Sequence, residues 1–150
     1  GECVIIDPGC YDAGEQQELA DYVKHKSLKP VKLLNTHCHV DHVFGNLFVA
    51  ETWAIGLTIH KSDVPVLDSF AQVCQMYGLK GGPQPEPAHF IEDGDQIKFG
   101  NSVLEILFTP GHSPGSVCFY SIADELVIGG DVLFQGSIGN RLAGRKFRNA

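Results

Sequence analysis

Three histidines and an aspartate fall within six residues at His37-Cys38-His39-Val40-Asp41-His42, in a chain of 150 residues that has only seven His. Alternate side chains of an extended segment point to one side, so His37 and His39 can converge on one point. A turn into helix just beyond would let Asp41 and His42 face a second point nearby. Imidazole and carboxylate are ligands that Zn²⁺ takes at about 2.0–2.2 Å, and they also suit iron and manganese. Two more candidates stand after strand-like runs. His112 sits between the corners Thr109-Pro110-Gly111 and Ser113-Pro114-Gly115, and Asp131 follows Gly129-Gly130, a pair that lets backbone approach closely. By alternation Cys38 points away from the ligand side, into packing. Asp7 reads as a carboxylate satisfying the N–H groups of the Pro8-Gly9 turn. His25, His60 and His89 have no partner pattern and read as ordinary polar residues.

These candidates need strands that end close together, and the chain supplies strand signals at the right places. Residues 3–7 read as a buried strand. Asp12 with Glu15 gives a capping-box-like start to a helix over 14–28, with Leu19, Tyr22 and Val23 on its apolar face and Lys29-Pro30 as its stop. A strand over 31–36 runs into the His-rich segment, followed by a helix over 43–50 and a strand over 55–59. Ser62 caps a further helix that holds Pro65 in its first turn. The Pro- and Gly-rich stretch 78–88 is a loop. Beyond it the spacing predicts strands over 89–91, 95–99, 102–108, 116–122 and 125–130, with turns such as Asp93-Gly94 and Gly100-Asn101. A helix-rich first half and a strand-rich second half give a mixed α/β domain spanning residues 1–150, with sheet layers flanked by helices.

Composition narrows the function classes. The chain is 43% hydrophobic and 19% charged, which fits a packed domain rather than a disordered one. No apolar run reaches the roughly 18–20 residues of a membrane helix, and the first residues do not form a signal peptide. All 18 acids lie at or before Asp131, and seven Lys without any Arg leave residues 1–140 at −11. Such a body is a poor partner for nucleic acid. The basic residues Arg141, Arg145, Lys146 and Arg148 make 140–150 an atypical tail. Five Cys, without a Cys-x-x-Cys pair, fit reduced thiols in the cytoplasm.

The pattern His-x-His-x-Asp-His at His37–His42, followed by Gly111-His112 and Gly130-Asp131, resembles the metallo-β-lactamase superfamily. Ile6-Asp7-Pro8-Gly9, the segment Thr109–Ser116 and Gly130-Asp131-Val132-Leu133-Phe134 are similar to the glyoxalase II-like hydrolases rather than the antibiotic-degrading lactamases, and the resemblance covers residues 3–139. It implies an α/β fold, a four-layered αββα sandwich that is incomplete in this chain, with two metals at the edge of the sheets. His37, His39 and His112 would hold the first metal, Asp41 and His42 the second, and Asp131 would bridge both. Zn²⁺ is the expected metal, with Fe or Mn as alternatives. A hydroxide between the metals would attack the carbonyl of a small-molecule thioester or ester, and Asp41 and Asp131 would be catalytic by orienting it.

Two other classes stay open. A persulfide dioxygenase relative resembles the same segments and would hold a single iron with His37 or His39, His112 and Asp131. A truncated product that binds metal without turnover is the third. Flavodiiron reductases place a Glu where His39 stands, and a superfamily nuclease is disfavoured by the acidic body. The family also carries a further C-terminal His and continues differently after Ser137-Ile138-Gly139. The expectation is therefore a chain truncated at its C-terminus and at its N-terminus, with residues 140–150 not native sequence and a weaker second metal. An uncovered sheet face would then drive homodimerisation.

Overall fold

The computed structural model describes residues 1–134 and 137–138. The tail 140–150 lies outside the described residues. Strand β1 (Glu2–Ile6) leads to helix α1 (Ala13–His25) and back to β2 (Lys29–Leu34). Helices α2 (Val40–Val43) and α3 (Asn46–Trp53) precede β3 (Leu57–His60). A 3₁₀ turn (Lys61–Asp63) opens α4 (Val64–Asp68), and α5 (Phe70–Met76) follows. The remaining strands are β4 (Pro87–Ile91), β5 (Gln96–Phe99), β6 (Ser102–Phe108), β7 (Val117–Ser121), β8 (Leu126–Ile128) and the short β9 (Leu133–Phe134) and β10 (Ser137–Ile138).

Two four-stranded sheets carry the fold. The first has the order β1-β2-β3-β4 with all pairs parallel, and the second β5-β6-β7-β8 with all pairs antiparallel. Parallel strands need helical crossovers, which is why the helices gather in the first half. Strand β4 follows the long loop yet pairs with β3, so the strand-rich half contributes to both sheets.

Alternation along the strands builds two cores. Ile5, Leu33, Leu57 and Ile59 face the helices and pack with Val43, Val49, Leu67 and Phe70. Their neighbours Val4, Ile6, Leu34 and Ile91 face the second sheet and pack with Ile97, Leu104, Ile106, Val117 and Phe119. The described residues therefore supply helix, sheet and sheet as successive layers of the sandwich. On the outer face of the second sheet, Val103 and Val127 stay exposed. Among the described residues, no helix is long and apolar enough to cross a membrane.

Local chemistry explains where the elements depart from expectation. Asp12 caps α1 by accepting from the Glu15 N–H at 3.0 Å, while the Glu15 carboxylate accepts from the Tyr11 N–H at 2.6 Å. The helix ends at His25, short of residue 28, because Ser27 turns into the left-handed region at φ 51°. Its buried stripe is Leu19 and Val23, four residues apart; Tyr22 points outward and is 58% exposed. Pro30 does not precede β2 but lies inside it, opposite the β1 irregularity at Cys3/Val4, where a missing N–H is tolerated. The single helix expected over 43–50 is two helices. It breaks where the Gly45 N–H leaves the helical ladder to donate to Pro8 O at 2.7 Å.

Candidate metal centre

The ligand segments leave the ends of neighbouring strands. Beyond Leu34, the Asn35 N–H donates to Thr58 O at 3.2 Å, and Thr36 O accepts from the Val117 N–H at 2.9 Å, so the end of β2 is tied to both sheets. Extended backbone at His39 then enters α2, which places His37 and His39 before the helix and Asp41 and His42 in it. His112 stands on the β6–β7 turn, closed by Thr109 N–H to Ser116 O at 2.9 Å. Asp131 follows β8 through Gly130, whose φ of 49° suits glycine. A Cβ at Gly130 would collide with the Thr36 side chain, so glycine also allows the two segments to touch.

All six expected residues come together. The ligand atoms of His37, His39 and His112 lie within 4.8 Å of one another, as do those of Asp41, His42 and Asp131. His39 Nδ1 and His112 Nε2 face each other at 2.9 Å. The His37 ring stands edge-on to both, at centroid distances of 4.7 and 4.9 Å. Asp131 spans the two groups: Oδ1 lies 3.3 Å from His42 Nε2, and Oδ2 lies 3.4 Å from His112 Nε2. Asp41 approaches His42 Nε2 at 3.6 Å, with its side chain 71% exposed.

Donor chemistry fits a cation. His37 Nε2 is buried and has no hydrogen-bond partner in the protein, a costly arrangement unless a ligand takes up its lone pair. Its tautomer follows from Thr36. The Thr36 hydroxyl has one hydrogen and donates it to Asp7 Oδ2, so at 3.1 Å from His37 Nδ1 it can only accept. Nδ1 then carries the proton and Nε2 is bare. Burial, with His42 and His39 close by, pushes the His37 pKa down to about 3. Burial and His112 push that of His39 down as well. For His42, burial acts downward, but the hydrogen bond and charge of Asp7, together with Asp41 and Asp131, outweigh it and raise the pKa. Among the described residues, no Lys or Arg is paired with these carboxylates.

Asp7 is not a turn acceptor. Its Oδ1 accepts from the Thr36 N–H at 2.7 Å and from Asn35 Nδ2 at 3.4 Å, while Oδ2 meets His42 Nδ1 at 3.0 Å. It supports the ligands from behind, as outer partners of metal-binding histidines do. Cys38 faces the helix-side core, as alternation predicts, and burial raises its thiol pKa. His60 is more than a surface polar residue: it is buried, with its ring stacked on Phe108 at 4.3 Å. His25 and His89 are exposed. Thr36 and the buried Asp63, which accepts from the Cys38 N–H at 2.7 Å, carry no mark of their roles in the sequence.

The chain resembles known proteins over most of its length. A family model described as the metallo-beta-lactamase superfamily matches residues 1–146. The chain is 41% identical over 140 residues to a probable metallo-hydrolase, YqgX, of Bacillus subtilis, covering 92% of this chain and 64% of that protein. It is 33% identical to the hydroxyacylglutathione hydrolase GloC of Haemophilus influenzae, covering 90% of this chain and 63% of the relative. Among solved structures, TTHA1623 in a di-iron-bound form superposes with a TM-score of 0.79 at 34% identity, covering 91% of this chain and 65% of that one. The chain thus spans somewhat less than two thirds of the length of these relatives.

Proposed function

The chain belongs to the metallo-β-lactamase superfamily, and from that premise we propose that it carries the metal centre of a hydrolase acting on small-molecule thioesters or esters. The observation that carries this reading is Asp131, whose two oxygens reach His42 on one side and His112 on the other. His37, His39 and His112 would hold one cation and Asp41 and His42 a second, with Asp131, whose oxygens face both groups, contributing to each. When bound, a pair of divalent cations brings the pKa of water towards neutrality and polarises a carbonyl.

The protein's own groups do the rest. Thr36 and Asp7 hold the His37 and His42 rings with Nε2 presented to the centre. Asp41, exposed at the rim, orients the attacking water and takes its proton. No side-chain nucleophile takes part: Cys38 is buried facing the opposite core, with its thiol pKa raised. A thioester substrate is supported by the similarity to GloC, whose name specifies hydroxyacylglutathione. The five free cysteines support a reducing, cytoplasmic setting.

A second reading takes iron as the metal, which the similarity to a protein solved with two irons supports. In it, His37 or His39, His112 and Asp131 would hold a single iron, one fewer than in that structure, and the reaction would be oxidation of a persulfide by oxygen. Metal analysis of protein purified without added metal separates the two. About two equivalents of zinc, with hydrolysis of an acyl-glutathione thioester, supports the hydrolase. One equivalent of iron, with oxygen uptake on glutathione persulfide and no thioester cleavage, replaces it.

A further inference from the structure

We infer that Asp63 is a positioning residue of the metal centre, an anionic clamp that fixes the His37–His39 segment against the His112 turn. The inference rests on the reading above that these histidines hold a metal. Asp63 is 1% exposed, and among the described residues no cation is paired with it. Its charge is instead met by three donors. Oδ2 accepts from the Cys38 N–H at 2.7 Å, between His37 and His39 in sequence. Oδ1 accepts from the Ser113 hydroxyl at 2.7 Å and from the Gly115 N–H, both beside His112. One carboxylate therefore ties together two ligand segments that are far apart in sequence. Bonds to an ionised acceptor are roughly twice as strong as neutral ones.

Two further features show a site built around this contact. Asp63 closes the 3₁₀ turn with helical backbone (φ −96°, ψ −1°) and makes no side-chain bond to α4, so its carboxylate serves only the distant donors. Gly115 leaves it no room to move: a Cβ at that position would lie 2.7 Å from both Cβ and N of Asp63 and 2.8 Å from Oδ1. A residue serving α4 alone would need neither arrangement.

The test uses cobalt(II) as the probe, read by its visible absorption bands and by competition with a chelator. Asp63→Asn puts an NH₂ against either Cys38 N–H or the Ser113–Gly115 pair, and cobalt should bind the three-histidine site about tenfold or more weakly, as loss of a ligand-orienting partner does. Its absorption bands should also shift. Ser113→Ala keeps the carboxylate and both backbone bonds, and should show a smaller loss in the same direction. Leu67→Ala, which removes packing from the same helix, should lower Tm while leaving affinity and bands unchanged. If Asp63→Asn and Ser113→Ala lower Tm but bind cobalt like the wild type, with the same bands, Asp63 is only structural and the inference is overturned. A wild-type chain that takes up no cobalt overturns the metal reading itself, and this inference with it.

Discussion

Oδ2 of Asp7 lies 3.0 Å from Nδ1 of His42, on the side of the ring away from Nε2, which faces Asp131 at 3.3 Å. The same oxygen accepts the Thr36 hydroxyl hydrogen, and Thr36 in turn accepts from His37 Nδ1. A single carboxylate thus sets the tautomer of one histidine in each ligand group. Asp7 holds this position with a left-handed φ of 48°, uncommon for a non-glycine residue, where the chain turns out of β1.

Replacing Asp7 by Asn should weaken both sites, the His42 site more. The amide has one oxygen for the four donors the carboxylate now serves, and its NH₂ opposes either Thr36 or His42. Loss of such an outer partner costs about 10–100-fold in metal affinity. Zinc competition titrations, resolving a tight and a weak step, should show the weak step lost first.

Acid should empty the two sites in order. The His42 pKa is raised, so its proton returns above the ordinary value of 6.5, whereas His37 stays neutral down to about 3. Metal binding requires the deprotonated ring. On titration from pH 8 to pH 5, the Asp41–His42–Asp131 site should release its metal before the three-histidine site. Simultaneous release, followed by isotope exchange or cobalt spectra, would contradict the assignment. For the metal-free fold the His37 sign is opposite to that of His42. The unfolded chain takes up the His37 proton first, so this contribution to stability falls as pH drops below 6.5.

What the sequence makes legible is the part of the site that is local or marked by backbone punctuation. His37, His39, Asp41 and His42 sit within six residues, and His112 and Asp131 follow Gly/Pro corners that only a tight strand-end loop requires. Asp7 and Asp63 carry no such mark. Their partners lie 28–35 positions away for Asp7 and 25–52 for Asp63, and only the sheet order brings them together. The same limit applies to the fold. Apolar alternation gives the strands, but the break at Gly45 depends on a bond to Pro8, and β4 joins the first sheet through a loop whose composition says nothing about its partner.

Cys38→Ala should leave turnover intact. The thiol lies between two ligands in sequence, yet it packs with the helix-side core and its raised pKa keeps it protonated. The variant should lose about 1 kcal/mol of stability in urea denaturation from the small cavity, with kcat and metal content unchanged. A large fall in kcat at full metal occupancy would give Cys38 a chemical role.

Gly130→Ala should do the reverse, damaging the centre more than the fold. Alanine at φ 49° is strained by about 1–3 kcal/mol, and its Cβ would run into the Thr36 side chain. Thr36 can yield only by leaving Asp7 and His37, so the clash reaches one ligand directly and displaces Asp131 as well. Because Asp131 serves both ligand groups, the variant should lose metal from both sites together. That distinguishes it from Asp7→Asn, in which the His42 site goes first. Metal analysis of the two variants, purified and dialysed side by side, is the comparison. A Gly130→Ala protein retaining its full metal complement would mean that the Asp131 loop adjusts without Thr36, and that the contact between these segments does not hold the site in shape.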